Sequence, residues 1–193
     1  DEVNLRATER GALHTMEISR VWTAKGYGYQ AMSTAAVASL IVRPTTTAIV
    51  SFYNNTSTKN FVIERVFAHE LVSIANGQMG IWICVHPVGA IAQDTPTNDI
   101  TPRNSTSGEP AGVEGLWDIE ATVVADGWFP WGTNTTSVTA TVPGSLAEAN
   151  INGRIIIPPT AGISLSAVSQ TAVVTVCMGI HWFSVPISEF TLG

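Results

Sequence analysis

Two pairs of residues have the side chains that metal sites use. Cys84 and His86 are two residues apart, and Cys177 and His181 are four apart. On an extended strand these spacings correspond to about 7 Å and about 13 Å along one face, and the longer separation is too great for one metal ion. A Cys/His site formed across two strands remains the less favoured alternative. We expect two small apolar cysteines and hydrogen-bonded histidines in or near the core, with no bound metal or cofactor.

The carboxylates Asp118 and Glu120 have a spacing that suits acid–base chemistry. They alternate with Trp117 and Ile119, so on a strand both would lie on one face. The simpler interpretation is the solvated face of an outer strand. The four histidines of the sequence form no Ser–His–Asp pattern, and no G-x-S-x-G motif occurs. The sequence therefore predicts a protein that is not an enzyme.

The stretch GYGYQA, residues 26–31, matches the glycine spacing of the dinucleotide-binding fingerprint. That fingerprint also requires a following helix and an acidic residue about 20 positions later. No Asp or Glu occurs from Met32 to Ile63. We therefore expect a turn at this place and no nucleotide cofactor.

Aromatic side chains are concentrated in the heptapeptide DGWFPWG, at Trp128, Phe129 and Trp131. Exposed rings of this kind stack on sugars or pack against a partner chain, whereas buried rings close one end of a sandwich. We expect burial, within the subunit or against a neighbouring copy. Glycan contact is the alternative, and these three residues are the candidate partner or glycan contacts.

The elements that position these residues have the period of strands. Between Thr171 and Phe183 apolar residues occupy every second position, which is typical of a strand with one buried face. Pro158 and Pro159 end one such run, because proline cannot donate to a ladder. The same pattern predicts strands at Ala48–Tyr53, Phe61–Leu71, Gly80–His86, Trp117–Val124, Ser137–Val142, Arg154–Ile157, Ile163–Ala167 and Thr171–Phe183.

Three segments have less regular patterns. Glu17–Thr23 is a weaker strand candidate, and Gln30–Val42 is predicted as a strand or a short helix, because alanines compete there with Ser, Thr and Val. Residues 87–115 are rich in Pro, Gly, Thr and Asn, which predicts a long surface excursion. We expect an all-β fold, an antiparallel β-sandwich of jelly-roll type over residues 46–193. An extended N-terminal arm, residues 1–45, precedes it and docks onto a neighbour.

The composition excludes several classes of protein. The net charge is -6 and only 12% of residues are charged, which argues against nucleic-acid binding. The longest apolar runs are far shorter than the 18–20 residues of a membrane span, so we expect no membrane association. A charge-poor surface favours association between copies, and symmetric oligomers bury such surface.

Four stretches of the sequence resemble structural proteins of tailed bacteriophages. They are GIWICVHPVGA (80–90), VVADGWFPWG (123–132), GRIIIPPTAGISLSAV (153–168) and GIHWFSV (179–185). The resemblance covers roughly residues 48–190. It implies a small jelly-roll or related β-sandwich on the virion, acting as a capsid decoration, head-fibre or similar auxiliary protein, often as a homotrimer.

We therefore predict a non-enzymatic virion structural protein that oligomerises and decorates or builds a capsid or related assembly. Its expected partners are further copies of itself and the major capsid or another virion protein, with no nucleic acid and no membrane. The alternative is a carbohydrate-binding or receptor-binding β-sandwich module, in which the Trp128–Trp131 cluster contacts a glycan.

Overall fold

The structure is a computed structural model that describes residues 17–72, 78–90, 100–110, 114–119, 127–136, 146–169 and 173–190. The helix is α1, Ile18–Ala24, and a short 3-10 turn spans Ile187–Glu189. The strands are β1 Gly28–Met32, β2 Val37–Ala38, β3 Val50–Tyr53, β4 Lys59–Val72, β5 Gln78–His86, β6 Arg103–Asn104, β7 Leu116–Ile119, β8 Phe129–Thr136, β9 Leu146–Ile157, β10 Gly162–Ser169 and β11 Thr175–Pro186. None of the described helices is long and apolar enough to cross a membrane.

Strand pairing in the described residues follows a nested order. Strand β1 pairs with β11, β3 with β10, β4 with β9, and β5 with β8, and every one of these ladders is antiparallel. A chain whose first strand pairs with its last, its second with the next to last, and so on inward is one long hairpin rolled into two layers. This is the jelly-roll arrangement.

The two layers have the strand orders expected of that roll. The first sheet runs β6-β1-β11-β4-β9, with β2 also paired to β11, and the second runs β7-β3-β10-β5-β8. The predicted all-β sandwich with antiparallel strands is confirmed. Alternation sorts side chains between the core and the outside: along β11, Val176, Met178 and Ile180 are fully buried in the core.

Most predicted strands are present, with shifted ends. Predicted Arg154–Ile157 is the second half of the longer β9, and predicted Trp117–Val124 is described only as β7, up to residue 119. Predicted Ser137–Val142 lies outside the described residues. Strand β9 escaped full detection because Asn152 and Gly153 both have positive φ values, 52° and 73°. They form an irregularity that interrupts its pairing with β4 between Ile63 and Arg65.

Two local predictions are wrong. The weak strand candidate Glu17–Thr23 is helix α1, in which the Thr23 hydroxyl donates to the Ser19 carbonyl four residues back. The predicted turn at residues 26–31 is confined to Gly26, whose φ is +78°. The chain then enters strand β1, because Tyr29 and Ala31 find core positions opposite Trp182 and Ile180.

The segment predicted as an N-terminal arm contributes to the sandwich where it is described. Helix α1 packs its Trp22 ring 5.5 Å from the ring of Phe183, and β1 pairs along β11. The boundary predicted at residue 45 is therefore not a break in the first sheet. Gln30–Val42 holds the end of β1 and the short β2, and no helix. A docking role for residues 1–45 stays a prediction.

The predicted surface excursion of residues 87–115 is partly buried. Ile100 is only 2% exposed and belongs to the main core, and β6 pairs with β1. Near its end, the Glu114 carboxylate accepts hydrogen bonds from the Lys59 ammonium and the Ser184 hydroxyl. The segment is therefore anchored to the sandwich at Ile100, at β6 and at Glu114.

Aromatic rings fill the centre of the core. Phe52 and Trp117 from the second sheet meet Phe61 and Trp182 from the first, with Phe52 centroid distances of 4.3 Å to Trp117, 4.8 Å to Trp182 and 5.2 Å to Phe61. All four side chains are fully buried or nearly so. Burying large rings between the layers is the main source of apolar stabilisation here.

Candidate functional site

The three rings of the predicted aromatic cluster differ in how far they are buried. Trp128 is 3% exposed, packs with Ala48 and Cys84, and donates from Nε1 to the Thr45 carbonyl at 2.8 Å. Phe129 begins β8 and is 67% exposed. Trp131 is half-buried, with the Arg154 guanidinium 5.1 Å from its ring centroid. Because Trp128 is buried and Trp131 is half-buried, only Phe129 of these three is fully available to a partner.

Five exposed apolar side chains lie at one end of the sandwich. This end is where β4 finishes, β9 begins and the segment after β2 runs beside the start of β11; the Ser39 amide donates to the Val174 carbonyl at 2.8 Å. We call the following five residues the apolar end: Ile41, Val42, Leu71, Leu146 and Val173, with exposures of 54%, 66%, 37%, 45% and 52%. Apolar side chains exposed at an end of the sandwich are suited to contact with another protein.

A pocket of about 580 Å³ lies against the outer face of the first sheet. Its walls come from β1, β4, β11 and the segment leading into β6, and include Gln30, Met32, Thr34, Phe67, Arg103 and His181. We call it the outer-face pocket. Its volume is in the range of small-molecule sites. The four segments that form the pocket are far apart in sequence, so no local sequence motif predicts it.

The floor of the outer-face pocket depends on a glycine. Phe67 and Gly179 are paired residues of β4 and β11, and the Phe67 ring lies over the glycine. A Cβ at position 179 would lie 2.7 Å from Phe67 Cε1 and 2.8 Å from the Ala31 carbonyl oxygen, so both neighbours would have to move. The ring then meets His181 edge-on, at 5.8 Å between centroids.

Electrostatics hold His181 in one form. Arg65 Nη2 lies 3.2 Å from His181 Nε2, and Arg65 Nη1 lies 3.4 Å from a Glu148 carboxylate oxygen. A guanidinium can only donate, so Nε2 accepts and the imidazole proton is on Nδ1. Burial, and then the charge of Arg65, lower the pKa of His181, while Glu148 acts in the opposite direction. The ring is thus kept neutral with its Nδ1–H free to donate.

The outer face of the second sheet carries a buried polar cluster. His86 Nε2 lies 2.7 Å from the Ser164 hydroxyl, which lies 2.9 Å from the Ser51 hydroxyl. His86 and Ser164 are fully buried, and Nδ1 of His86 has no hydrogen-bond partner among the described residues. Cys84 is buried on the same face, as the spacing predicts. The arrangement is a covered layer of the sandwich and not an open site.

The other predicted chemical residues do not converge. Cys177 is buried and free, and its thiol points to the Ala35 carbonyl at 3.8 Å. The described residues contain no group of three His, Cys, Asp or Glu side chains placed to hold a metal ion. Asp118 lies across from Ser51 on β7, and Glu120 lies outside the described residues.

Two fully buried titratable groups respond to pH in opposite senses. Desolvation lowers the pKa of His86 from its usual 6.5 and raises the pKa of the Glu70 carboxyl. Glu70 lies at the apolar end, with both oxygens lacking a partner among the described residues. The fold thus favours the neutral form of each group, so acid opposes folding through His86, as it does through His181, and not through Glu70.

We expect the protein to lose stability in mild acid through His86. The pKa of His86 in the folded chain is below 6.5. As the pH falls from about 6.5, the imidazole is therefore protonated in the unfolded chain before it is protonated in the folded chain, which favours unfolding. Urea unfolding at pH 7.5, 6.0 and 5.0 should show a smaller loss for His86→Gln than for the wild type. Ser166→Ala, in the same buried layer, is the control and should keep the wild-type slope. An unchanged slope in His86→Gln would contradict the assignment.

Comparisons with known proteins add little to this geometry. Neither a family model nor a curated protein sequence matches the chain. A chain from "Structure of infectious bursal disease virus Gt strain" is 17% identical, with a TM-score of 0.21, over 85% of this chain and 41% of that one. One from "Structure of infectious bursal disease virus Gx strain" is 15% identical, with a TM-score of 0.20, over 84% and 42%. This chain spans about two fifths of their length, and similarity at such scores identifies neither fold nor function.

Proposed function

We propose that this chain is a non-enzymatic structural subunit of a virion, of the tailed-bacteriophage type that its sequence resembles. It associates with further copies of itself, as a homotrimer in the simplest case, and decorates or builds a capsid or related assembly. The observation that carries the proposal is the apolar end, whose five apolar side chains are exposed on an otherwise well-packed jelly roll. Its other support comes from the fold, the charge and the sequence.

The fold is compatible with this role without specifying it. Jelly rolls occur in viral coat domains, in lectins and in cupins. A fold by itself does not determine a function, so the surface has to decide between these possibilities. The exposed apolar side chains of this chain favour contact with another protein.

The apolar end has the chemistry of a protein contact. Val42 is 66% exposed and follows β2, and Val173 is 52% exposed and precedes β11, the strand with which β2 pairs. Carboxylates and ammonium groups are depleted at the centre of protein interfaces, where apolar side chains dominate. With 12% charged residues, the chain has few groups to keep separate copies apart in solution.

We expect the double variant Val42→Asp/Val173→Asp to dissociate the assembly. Two carboxylates would have to be buried without partners in the interface, which is costly enough to shift association by tenfold or more. The measurement is mass in solution by light scattering, across a hundredfold range of protein concentration. The wild type should be oligomeric and the variant monomeric, with matching circular dichroism.

The matched control is Val88→Asp. Val88 is 62% exposed but follows β5 at the opposite end of the sandwich, so the same change in chemistry there should leave the oligomer intact. A wild-type chain that stays monomeric at every concentration would overturn the proposal. So would a double variant that assembles as well as the wild type.

The alternative of a glycan-binding module built on the aromatic cluster now depends on Phe129. Trp128 is committed to packing and to its hydrogen bond with Thr45, so its replacement would test folding and not recognition. The polar and aromatic groups that suit a sugar lie elsewhere, in the outer-face pocket.

A further inference from the structure

We propose that the outer-face pocket binds an acidic monosaccharide unit. Its carboxylate would pair with Arg103 and His181, and its ring would pack against Phe67 and Met32. The shared ligand chemistry is a polyhydroxylated ring with one carboxylate, either a free sugar acid or the terminal residue of a glycan. Nothing in the proposed assembly function requires this site, because the pocket and the apolar end involve different residues.

The charge of the lining selects for an anion. Among the described residues that line the pocket, Arg103 carries the one charged side chain and none is acidic. Its Nη1 donates to the Gly108 carbonyl at 3.0 Å, which orients the guanidinium at the rim. In a chain of net charge -6, this arginine is a local positive site against a negative background. Guanidinium groups bind carboxylates with paired, charge-assisted hydrogen bonds.

His181 supplies a second donor. Because Nε2 accepts from Arg65, the proton is on Nδ1, and no described residue accepts from it. The acidic residue nearest to this network, Glu148, is occupied by Arg65 on the far side of the imidazole. The pocket thus presents donors from two elements, β6 and β11, to the oxygen atoms of an anionic ligand.

The remaining walls match the body of a sugar. The half-buried Phe67 ring and the exposed thioether chain of Met32 provide an apolar surface for the C–H groups of a pyranose. The Gln30 amide and the Thr34 hydroxyl both donate and accept, as sugar hydroxyls require. A volume of about 580 Å³ accommodates one or two sugar units and is too small for a long chain to be enclosed.

The experiment measures binding of glucuronic acid and N-acetylneuraminic acid by saturation-transfer NMR and isothermal titration. Glucose and N-acetylmannosamine are the uncharged counterparts. The acids should bind with millimolar or tighter affinity and the neutral sugars at least tenfold more weakly. Equal affinity for acids and neutral sugars would overturn the proposal, as would no binding of the acids at 20 mM, a concentration of about tenfold the expected dissociation constant.

Two variants locate the site. Arg103→Gln removes the positive charge, and Gln30→Glu places a carboxylate of nearly the same shape in the wall. Both positions are exposed, so the fold should be retained, and each change should weaken binding of the acids at least tenfold. Arg20→Gln, an exposed arginine on α1 outside the pocket, is the matched control and should bind as the wild type does. Unchanged binding in Arg103→Gln would overturn the assignment.

A trisaccharide that ends in N-acetylneuraminic acid distinguishes the two sources of the ligand. Binding at least as tight as that of the free acid indicates a glycan terminus, and loss of binding indicates a free sugar acid. Because Arg103 and Gln30 are not part of the apolar end, their variants should keep the wild-type mass in solution. Sugar binding and assembly are thus measured separately, and failure of one does not imply failure of the other.

Discussion

Replacing Gly115 with alanine should lower the free energy of unfolding by about 3–4 kcal/mol. The backbone at Gly115 has a φ of +101°, which costs a residue with a Cβ roughly 1–2 kcal/mol. The new methyl would also overlap the Phe52 ring, with Phe52 Cζ only 2.6 Å away. Overpacking of a core adds typically about 1–3 kcal/mol.

Phe52 cannot move away from the added methyl without cost. Its ring is stacked on Trp117 at 4.3 Å and on Phe61 at 5.2 Å, and it is tilted against Trp182 at 4.8 Å. Displacing this ring therefore disturbs its contacts with all three neighbouring rings. The Gly115 amide also donates to the Asn55 side-chain oxygen at 2.9 Å, which ties this backbone to the loop after β3.

The control separates backbone strain from the clash. Gly108 also has a positive φ, +74°, but a Cβ there would meet nothing within 4 Å. Gly108→Ala should therefore cost only about 1–2 kcal/mol. Urea unfolding of both variants, followed by circular dichroism, gives the two differences. Equal losses in the two variants would show that the contact with Phe52 does not matter.

Replacing Trp182 with alanine should cost about 3–5 kcal/mol, the range typical of removing a large buried ring. Trp182 is 1% exposed and lies on β11 of the first sheet. Its ring touches Tyr29 in the same sheet, at 5.7 Å, and Phe52 and Trp117 in the other, at 4.8 Å and 5.8 Å. Its removal leaves a cavity that both layers would have to close, and paired strands cannot move independently to do so.

Trp182→Phe is the matched variant. It keeps an aromatic ring in place and removes the indole N–H, which has no hydrogen-bond partner among the described residues. Removing an unpaired buried donor offsets part of the lost packing, so the cost should be about 1.5 kcal/mol or less. Equilibrium unfolding in urea measures both variants against the wild type. A phenylalanine variant as unstable as the alanine variant would contradict this account of the core.

Strands were predictable from sequence where one face is buried along their whole length. Strand β11 is the clearest case: Val176, Met178, Ile180 and Trp182 alternate with outward positions, and the structure buries all four in the core. Segment Glu17–Thr23 was mistaken for a strand because a helix of seven residues gives too few turns for its period to emerge. The local pattern also missed most of β9, where Asn152 and Gly153 interrupt the alternation.

The candidate sites were less predictable than the fold. The aromatic stretch was visible as a cluster in the sequence, but Trp128 is buried just before β8, and Phe129, the first residue of β8, is exposed. The apolar end joins Val42 with Leu71 and Val173, residues that belong to three separate runs of the chain. The position of a residue within one segment does not give its distance from a residue of another segment, because that distance depends on how the strands pair.

The alternation of apolar residues was enough to predict two layers of antiparallel strands, because each sheet can bury its apolar face against the other. Which outward residues meet depends on the order of the strands, and the alternation does not contain that order. Gln30, Phe67, Arg103 and His181 come from four distant stretches and line one pocket because β1 and β4 pair on either side of β11, with β6 along β1. The alternation of side chains along a strand is a local property of the sequence, whereas the order of the strands in the sheets is a property of the whole fold.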